Sequence, residues 1–162
     1  MIIQTQTITH WPEVKAIYEQ GIATGNATFE TNAPEWEVWD KAHFPNCRIV
    51  MTDGAKVLGW AALTPVSARS VYSGVAEVSV YVAIEEQRKG IGKRLLQELI
   101  TESENNDFWT LQASIFKENT ASLKIHEECG FKLLGVRERI GKMNGVWRDT
   151  VLLQRRSKTV GV

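Results

Sequence analysis

The stretch EVSVYVAIEEQRKGIGKRLLQELI, residues 77–100, decides how this chain is read. Its first six positions alternate valines with other residues, as in a strand that buries one face. A charged segment interrupts, and then Gly90 and Gly92 stand among Arg88, Lys89 and Lys93. From there Leu95, Leu96, Leu99 and Ile100 recur at helical spacing, which predicts a helix over 92–104. The first amides of a helix have no carbonyl partner, and the aligned peptide dipoles make that end positive. Glycines let a bulky anion approach the backbone, and the three cations add attraction. The segment reads either as an anion site or as a glycine-containing turn with solvated charges. Two other phosphate loops do not fit it. A P-loop ends in Gly-Lys-Ser/Thr, but Arg94 follows Lys93 here. A dinucleotide fingerprint has a third small residue where Leu95 stands and follows its strand directly, whereas a charged segment intervenes.

Outward from this stretch the chain alternates strand and helix patterns. IIQTQT near the N-terminus reads as a first strand. Val14, Ile17, Tyr18 and Ile22 then mark a helix, with Thr9 or His10 near its cap and Pro12 in its first turn. Trp36 and Trp39 lie on a short second helix ending near Pro45. CRIVMTDGAKVLGWAALTP predicts a hairpin around Asp53-Gly54. After the central strand and helix, WTLQASIF is another strand, and 119–129 is a helix stopped by Gly130. Two last strands are joined through Asn144-Gly145. The order is β-α-α-β-β-β-α-β-α-β-β, which predicts one α/β (α+β) domain over residues 1–155 with a partly antiparallel sheet. The unit from 77 to 115 predicts two parallel strands with a right-handed crossover. Residues 156–162, in and beyond the basic QRRSK, read as a frayed, solvated tail.

The totals narrow the function. Nineteen basic and nineteen acidic residues cancel across 162 positions, so no global field draws nucleic acid or an anionic membrane. No apolar run approaches the roughly 20 residues of a membrane span, and a signal-peptide pattern is missing, which predicts a cytoplasmic protein. Cys47 and Cys129 have no metal-ligand spacing and read as reduced structural thiols, so no metal is expected.

QRKGIG, at 87–92, resembles the pyrophosphate loop of the GNAT superfamily of acetyl-CoA-dependent N-acetyltransferases, and its strand-before, helix-after setting matches. ENTASLKIHEECGF, at 118–131, is similar to a second part of that family's signature. GIATGNATFET, AEVSVYV and NGVWRDTVLL are similar to the phosphinothricin N-acetyltransferase branch, and the likeness spans roughly residues 2–155. The resemblance implies a GNAT-type mixed sheet of about seven strands flanked by about four helices. It implies acetyl-CoA as cosubstrate, with its pantetheine arm paired to the backbone of Val80, Tyr81 and Val82. Its diphosphate would take amides of Arg88, Lys89, Gly90, Ile91, Gly92 and Lys93, and Asn119 would bond the arm. It further implies a homodimer; the six tryptophans suit such an interface or a single core.

Acetyl transfer to an amine needs an acceptor for the amine's proton, because an amine of pKa about 10.4 is almost wholly charged at neutral pH. Strand alternation places Glu77, Ser79 and Tyr81 on one face, opposite a core face of Ala76, Val78, Val80 and Val82. Spacing alone leaves Glu77 either a solvated carboxylate or a group facing a cleft. The resemblance makes it the general base and predicts a bulge nearby that opens the cofactor slot. His126 lies on the inward stripe of its helix, which suits a hydrogen-bonded core residue, while the resemblance implies a proton donor to the leaving thiolate at this position. Cys129, one turn on, reads as packing. For a small amino-acid-type acceptor, Arg69 offers a two-pronged carboxylate grip beside Tyr72, while Phe29 and Glu30 resemble a family loop over the amine site. The chain departs from the branch at Val66 and Ser67, where phenylalanine and a first arginine are expected. One anionic grip is missing, which favours a methionine sulfoximine or sulfone over the doubly anionic phosphinothricin. A protein N-terminus or a polyamine as acceptor, and a non-catalytic acyl-CoA-binding module, are the competing readings.

Overall fold

A computed structural model describes all 162 residues. Seven strands, β1 (Ile2–Thr5), β2 (Arg48–Asp53), β3 (Lys56–Pro65), β4 (Val75–Val82), β5 (Thr110–Phe116), β6 (Lys132–Met143) and β7 (Val146–Arg156), form one sheet in the order β1-β2-β3-β4-β5-β7-β6. Every neighbouring pair is antiparallel except β4 and β5, the parallel pair expected from the 77–115 unit. The helices are α1 (Trp11–Ala23), α2 (Trp36–Ala42), α3 (Ile91–Asn105) and α4 (Thr120–Glu128).

Two cores cover the sheet. On α3 the buried residues Ile91, Leu95, Leu96, Leu99 and Ile100 form a single stripe that packs against Leu58, Ala61, Ala76 and Val78 of the sheet. The other core sets Val14 and Ile17 of α1 with Trp39 of α2 against Val50, Val57 and Trp60. Aromatic rings dominate it. Trp11, Trp36, Trp39 and Trp60 all pack within this core, and Tyr81 stacks on Trp60 with ring centroids 4.9 Å apart. The division into a core face and an opposite 77/79/81 face therefore fails at Tyr81, which is also core because α1 covers that end of β4. Four tryptophans fill a core, Trp109 lies against Gly74, and Trp147 is exposed.

Local signals explain the element ends. Gly130, with φ +91°, closes α4. Its N–H donates to the Glu127 carbonyl and the Phe131 N–H donates to the His126 carbonyl, which together satisfy the last turn. Asn144 and Gly145, both with positive φ, make the tight turn between β6 and β7. The β2–β3 turn differs by one step from expectation. Asp53 still pairs with Lys56, so the central residues are Gly54, at φ +59°, and Ala55. The C-terminal segment also differs. Ser157 is buried and its N–H donates to the Trp109 carbonyl, while the Arg156 guanidinium donates to the carbonyls of Val160 and Gly161. These residues are a clasp, not a frayed tail; arginine's several donors satisfy carbonyls that would otherwise need water.

Helix α3 and the sheet approach closely at Gly59. A Cβ there would lie 2.8 Å from the Tyr81 carbonyl oxygen and 3.0 Å from Leu95 Cδ1. Gly59→Ala therefore forces β3, β4 and α3 apart and should cost about 1–3 kcal/mol of stability. A urea midpoint equal to that of the unchanged protein would show that this contact does not set the spacing.

Candidate active site

Strands β4 and β5 pair only at Val75, Ala76 and Glu77, opposite Thr110, Leu111 and Gln112. Beyond that point β5 stays paired with β7 along its whole length and follows it away from β4. The slot between them is open, so the β4 backbone from 79 to 82 has a partner strand on one side only. The expected bulge is not its cause. The β3–β4 register runs unbroken from Gly59↔Val82 to Pro65↔Ala76. Divergence of β5 does the work instead. The slot belongs to a cavity of about 1170 Å³.

The glycine loop borders one end of this cavity through Arg88, Gly90, Ile91, Gly92 and Lys93. Arg88 and Gly90 adopt left-handed conformations, φ +63° and +79°, and Gly90 caps α3. No N–H from 88 to 93 donates to a backbone carbonyl; the first to do so is Arg94, to Gly90. A run of unpaired amides alternating in hand is a concave anion nest. Lys93 pairs with Glu128 at 3.1 Å. Lys89 turns away to Glu86, at 2.8 Å, and does not line the cavity. Asn119 does line it. Its Oδ1 accepts the Ser122 N–H at 3.3 Å as the cap of α4, which leaves its amide nitrogen free to donate.

Glu77 stands where β4 and β5 part. Its Oε1 accepts from Gln112 Nε2 at 3.2 Å and from Ser114 Oγ at 3.4 Å. Those two donors fix the carboxylate's direction, and Oε2 makes no bond to the chain. His126 lines the same cavity and is almost fully buried. Its Nδ1 donates to the Ser122 carbonyl at 2.7 Å, so Nε2 is the unprotonated nitrogen of the neutral ring. Burial holds its pKa below the ordinary histidine value. Cys129 is half-buried and its thiol is shifted upward by burial, which suits a packing role.

The other end of the cavity is built by residues far apart in sequence. Phe29 packs edge-on against Phe116, with centroids 4.7 Å apart, and presses on Gly141, where a Cβ would lie 2.7 Å from its ring. Arg148 ties the Phe29 segment down. It donates to the Gly25 carbonyl at 2.8 Å and to Asn26 Oδ1 at 2.7 Å, pairs with Glu118 at 3.3 Å, and lies over the Phe116 ring. Next to it β6 bulges: residues 138–140 stand opposite Asp149 alone. Asp149 Oδ1 accepts the N–H of Arg139, itself at φ +50°, at 2.7 Å, and Oδ2 pairs with Lys117 at 3.0 Å.

Of the residues singled out from the sequence, Phe29, Glu77, Val80, Tyr81, Val82, Arg88, Gly90, Ile91, Gly92, Lys93, Asn119 and His126 share this cavity. At Tyr81 only the backbone is available, because the ring is committed to the aromatic core. Glu30, Arg69, Tyr72 and Lys89 do not line it. Arg69 lies over the ring of the exposed Tyr72, on a loop at the far end of β4. Sequence reading missed Gln112, Ser114, Arg137, Thr150 and Arg148. Alternation within WTLQASIF puts Gln112 and Ser114 on one face, but only the parallel register brings that face to Glu77.

The family model described as Acetyltransferase (GNAT) family matches residues 14–131. A phosphinothricin N-acetyltransferase of Alcaligenes faecalis is 36% identical over 154 residues, which is 89% of this chain and 76% of that protein. An L-methionine sulfoximine/L-methionine sulfone acetyltransferase of Pseudomonas aeruginosa is 29% identical over 94% of this chain and 92% of its own length. Among solved structures, a GNAT superfamily phosphinothricin acetyltransferase from Sinorhizobium meliloti in complex with AcCoA superposes with a TM-score of 0.89. The two share 26% identity over 99% of this chain and 90% of that one.

Proposed function

This chain belongs to the acetyltransferase (GNAT) family and is an acetyl-CoA-dependent enzyme, and from that premise we propose that it acetylates the amine of a small amino-acid-type acceptor with Glu77 as general base. Methionine sulfoximine or sulfone and phosphinothricin are the acceptors the relatives' names suggest. The observation that carries the reading is the placing of Glu77 at the fork of β4 and β5, inside one cavity with the amide nest at 88–93.

The residues fit the cosubstrate on their own terms. An amide-bearing arm pairs with the open edge of β4 at Val80, Tyr81 and Val82. Its diphosphate takes the amides of 88–93, flanked by Arg88 and Lys93 while Lys89 stays turned to Glu86, and the free amide of Asn119 donates to the arm. Bound there, acetyl-CoA supplies an activated acyl group. Glu77 Oε2 takes the acceptor's proton, directly or through a water, while Gln112 and Ser114 hold the carboxylate in place. A carbonyl that gains negative charge is stabilised by fixed N–H donors, and unpaired backbone on β4 provides them. We give His126 the second proton-handling place, at the departing thiolate. Burial makes its charged ring scarce and, once formed, more acidic than an exposed imidazolium. Phe29 walls the amine site; Glu30, Arg69 and Tyr72 would join only by moving from where they stand.

The test mixes the protein with acetyl-CoA and separate panels of amino acids, peptides and polyamines, and follows thiol release. Methionine sulfoximine should be turned over and polyamines should not. Transfer to peptides alone would give the acceptor as a protein N-terminus, and tight coenzyme binding with no release over every panel would defeat the acceptor proposal.

We also propose a homodimer in the cytoplasm. Leu133, Leu134 and Val136 are exposed at the open end of the β6–β7 hairpin and Val146 and Trp147 at its turn, apolar surface along an edge strand that a second copy would cover. A monomeric mass by sedimentation equilibrium would refute it. No helix is long and apolar enough to cross a membrane. Both cysteines are free, which suits a reducing compartment, and burial pushes the Cys47 thiol up to about 12, which makes it unreactive. Cell fractionation tests the location.

A further inference from the structure

We propose that Arg137 grips the carboxylate of the acceptor and thereby selects amino acids over neutral amines; the proposal rests on the acetyltransferase reading above. Three cations line the cavity: Arg88, Lys93 and Arg137. The first two belong to the amide nest at the start of α3, and Lys93 is already paired with Glu128. Arg137 is the cation at the acceptor end. It sits on β6 directly opposite Thr150 of β7, which is buried and lines the same cavity, and Thr150 is opposite Phe116 of β5. Residues paired across a ladder share a face, and Gln112, Ser114 and Phe116 alternate onto one face of β5. Because Gln112 and Ser114 bind Glu77, the guanidinium and the base stand on the same side of the sheet.

Its neighbours on the hairpin are occupied. Arg139 lies over Trp147, and Arg148 spends its donors on Gly25, Asn26 and Glu118. The Arg137 side chain makes no ion pair and donates no hydrogen bond to the chain, so its planar fork is free for a ligand. The strand that carries it is held in an unusual shape. Asp149 clamps the Arg139 N–H in a left-handed conformation and so fixes the bulge just beyond Arg137. Bulges beside a site re-aim side chains, and a non-glycine residue held at positive φ is a maintained strain. The arrangement also answers a gap in the sequence. Ser67 stands where a first arginine was expected, and Arg69 lies outside the cavity, so neither supplies the grip inside it.

The experiment compares methionine sulfoximine with its methyl ester as acceptors for the full chain and for Arg137→Gln and Arg137→Lys. Arg137→Gln should raise the KM for the free acid roughly 10- to 100-fold, the loss expected for a charged hydrogen bond. The KM for the ester and for acetyl-CoA should each stay within about twofold, and Arg137→Lys should recover part of the loss because it keeps the charge without the fork. Calorimetric titration of both acceptors in the presence of CoA adds a readout that needs no turnover. A free acid whose KM is untouched by Arg137→Gln, or an ester that suffers equally, overturns the role of Arg137 while leaving the acceptor reading intact. An unsubstituted protein that neither turns over nor binds either compound overturns both.

Discussion

Glu77→Gln should lower kcat by about two to four orders of magnitude at neutral pH, the usual share of a positioned base. The substitution preserves shape. A glutamine carbonyl at the same place still accepts from Gln112 Nε2 and Ser114 Oγ, so neither donor is orphaned and the fork of β4 and β5 keeps its form. Only the proton acceptor is lost. The amine must then reach the thioester already neutral, and at pH 7 only a minority of an amino acid's α-amines is neutral, since the reference α-amino pKa of about 7.7–8.0 rises further beside a free carboxylate. The deficit should therefore shrink as pH rises toward that of the free amine, while the KM for acetyl-CoA and the melting temperature stay near those of the unsubstituted protein. A kcat at pH 7 within a few-fold of the parent's would remove Glu77 from the mechanism. An equal loss at every pH would give it a positioning role in place of a proton-taking one.

What the sequence disclosed follows from how local each signal is. The anion nest was legible because strand, glycines, cations and helix occupy 24 consecutive residues. Gly130 as a helix stop and Asn144-Gly145 as a turn were legible for the same reason, since backbone hand is chosen by the residue itself. The slot was expected and its cause was not. A bulge on β4 and a divergence of β5 both open an edge, and they differ only in the pairing of β5 with β7, forty residues along the chain. Tyr81 shows the same limit from the other side. Its alternation with Glu77 was correct, yet α1 turns one end of that face into aromatic core. The acceptor end was the least legible part. Arg148 reaches back across more than a hundred residues to Gly25 and Asn26, and the bulge opposite Asp149 exists only as a register shift. Arg69 was singled out because resemblance gave it a role; whether a loop side chain reaches a cavity depends on packing that no short motif encodes.

Gly92→Asp should weaken acetyl-CoA binding by about 100- to 1000-fold with little loss of fold. The steric part is small. A Cβ at 92 would lie 3.3 Å from Ile125 Cδ1 and 3.5 Å from Val82 Cγ2, both ends of side chains that can shift by a few tenths of an ångström. Gly92 has no positive φ, so a side chain brings no backbone strain there, unlike at Gly90. The charge is the larger part. A carboxylate about 4 Å from a phosphate meets a repulsion of about 4 kcal/mol at the effective dielectric of a partly exposed site. It also places a negative charge in the first turn of α3, where it competes with the diphosphate for the positive end of the helix. Gly92→Ala separates the two parts: it carries the added Cβ without the charge and should weaken binding less than about tenfold. Titration calorimetry with acetyl-CoA on both variants, beside their melting temperatures, reads the difference. Equal losses in the two would make the loop's constraint steric, and unchanged affinity in Gly92→Asp would mean that the diphosphate does not rest on the amides of 88–93 at all.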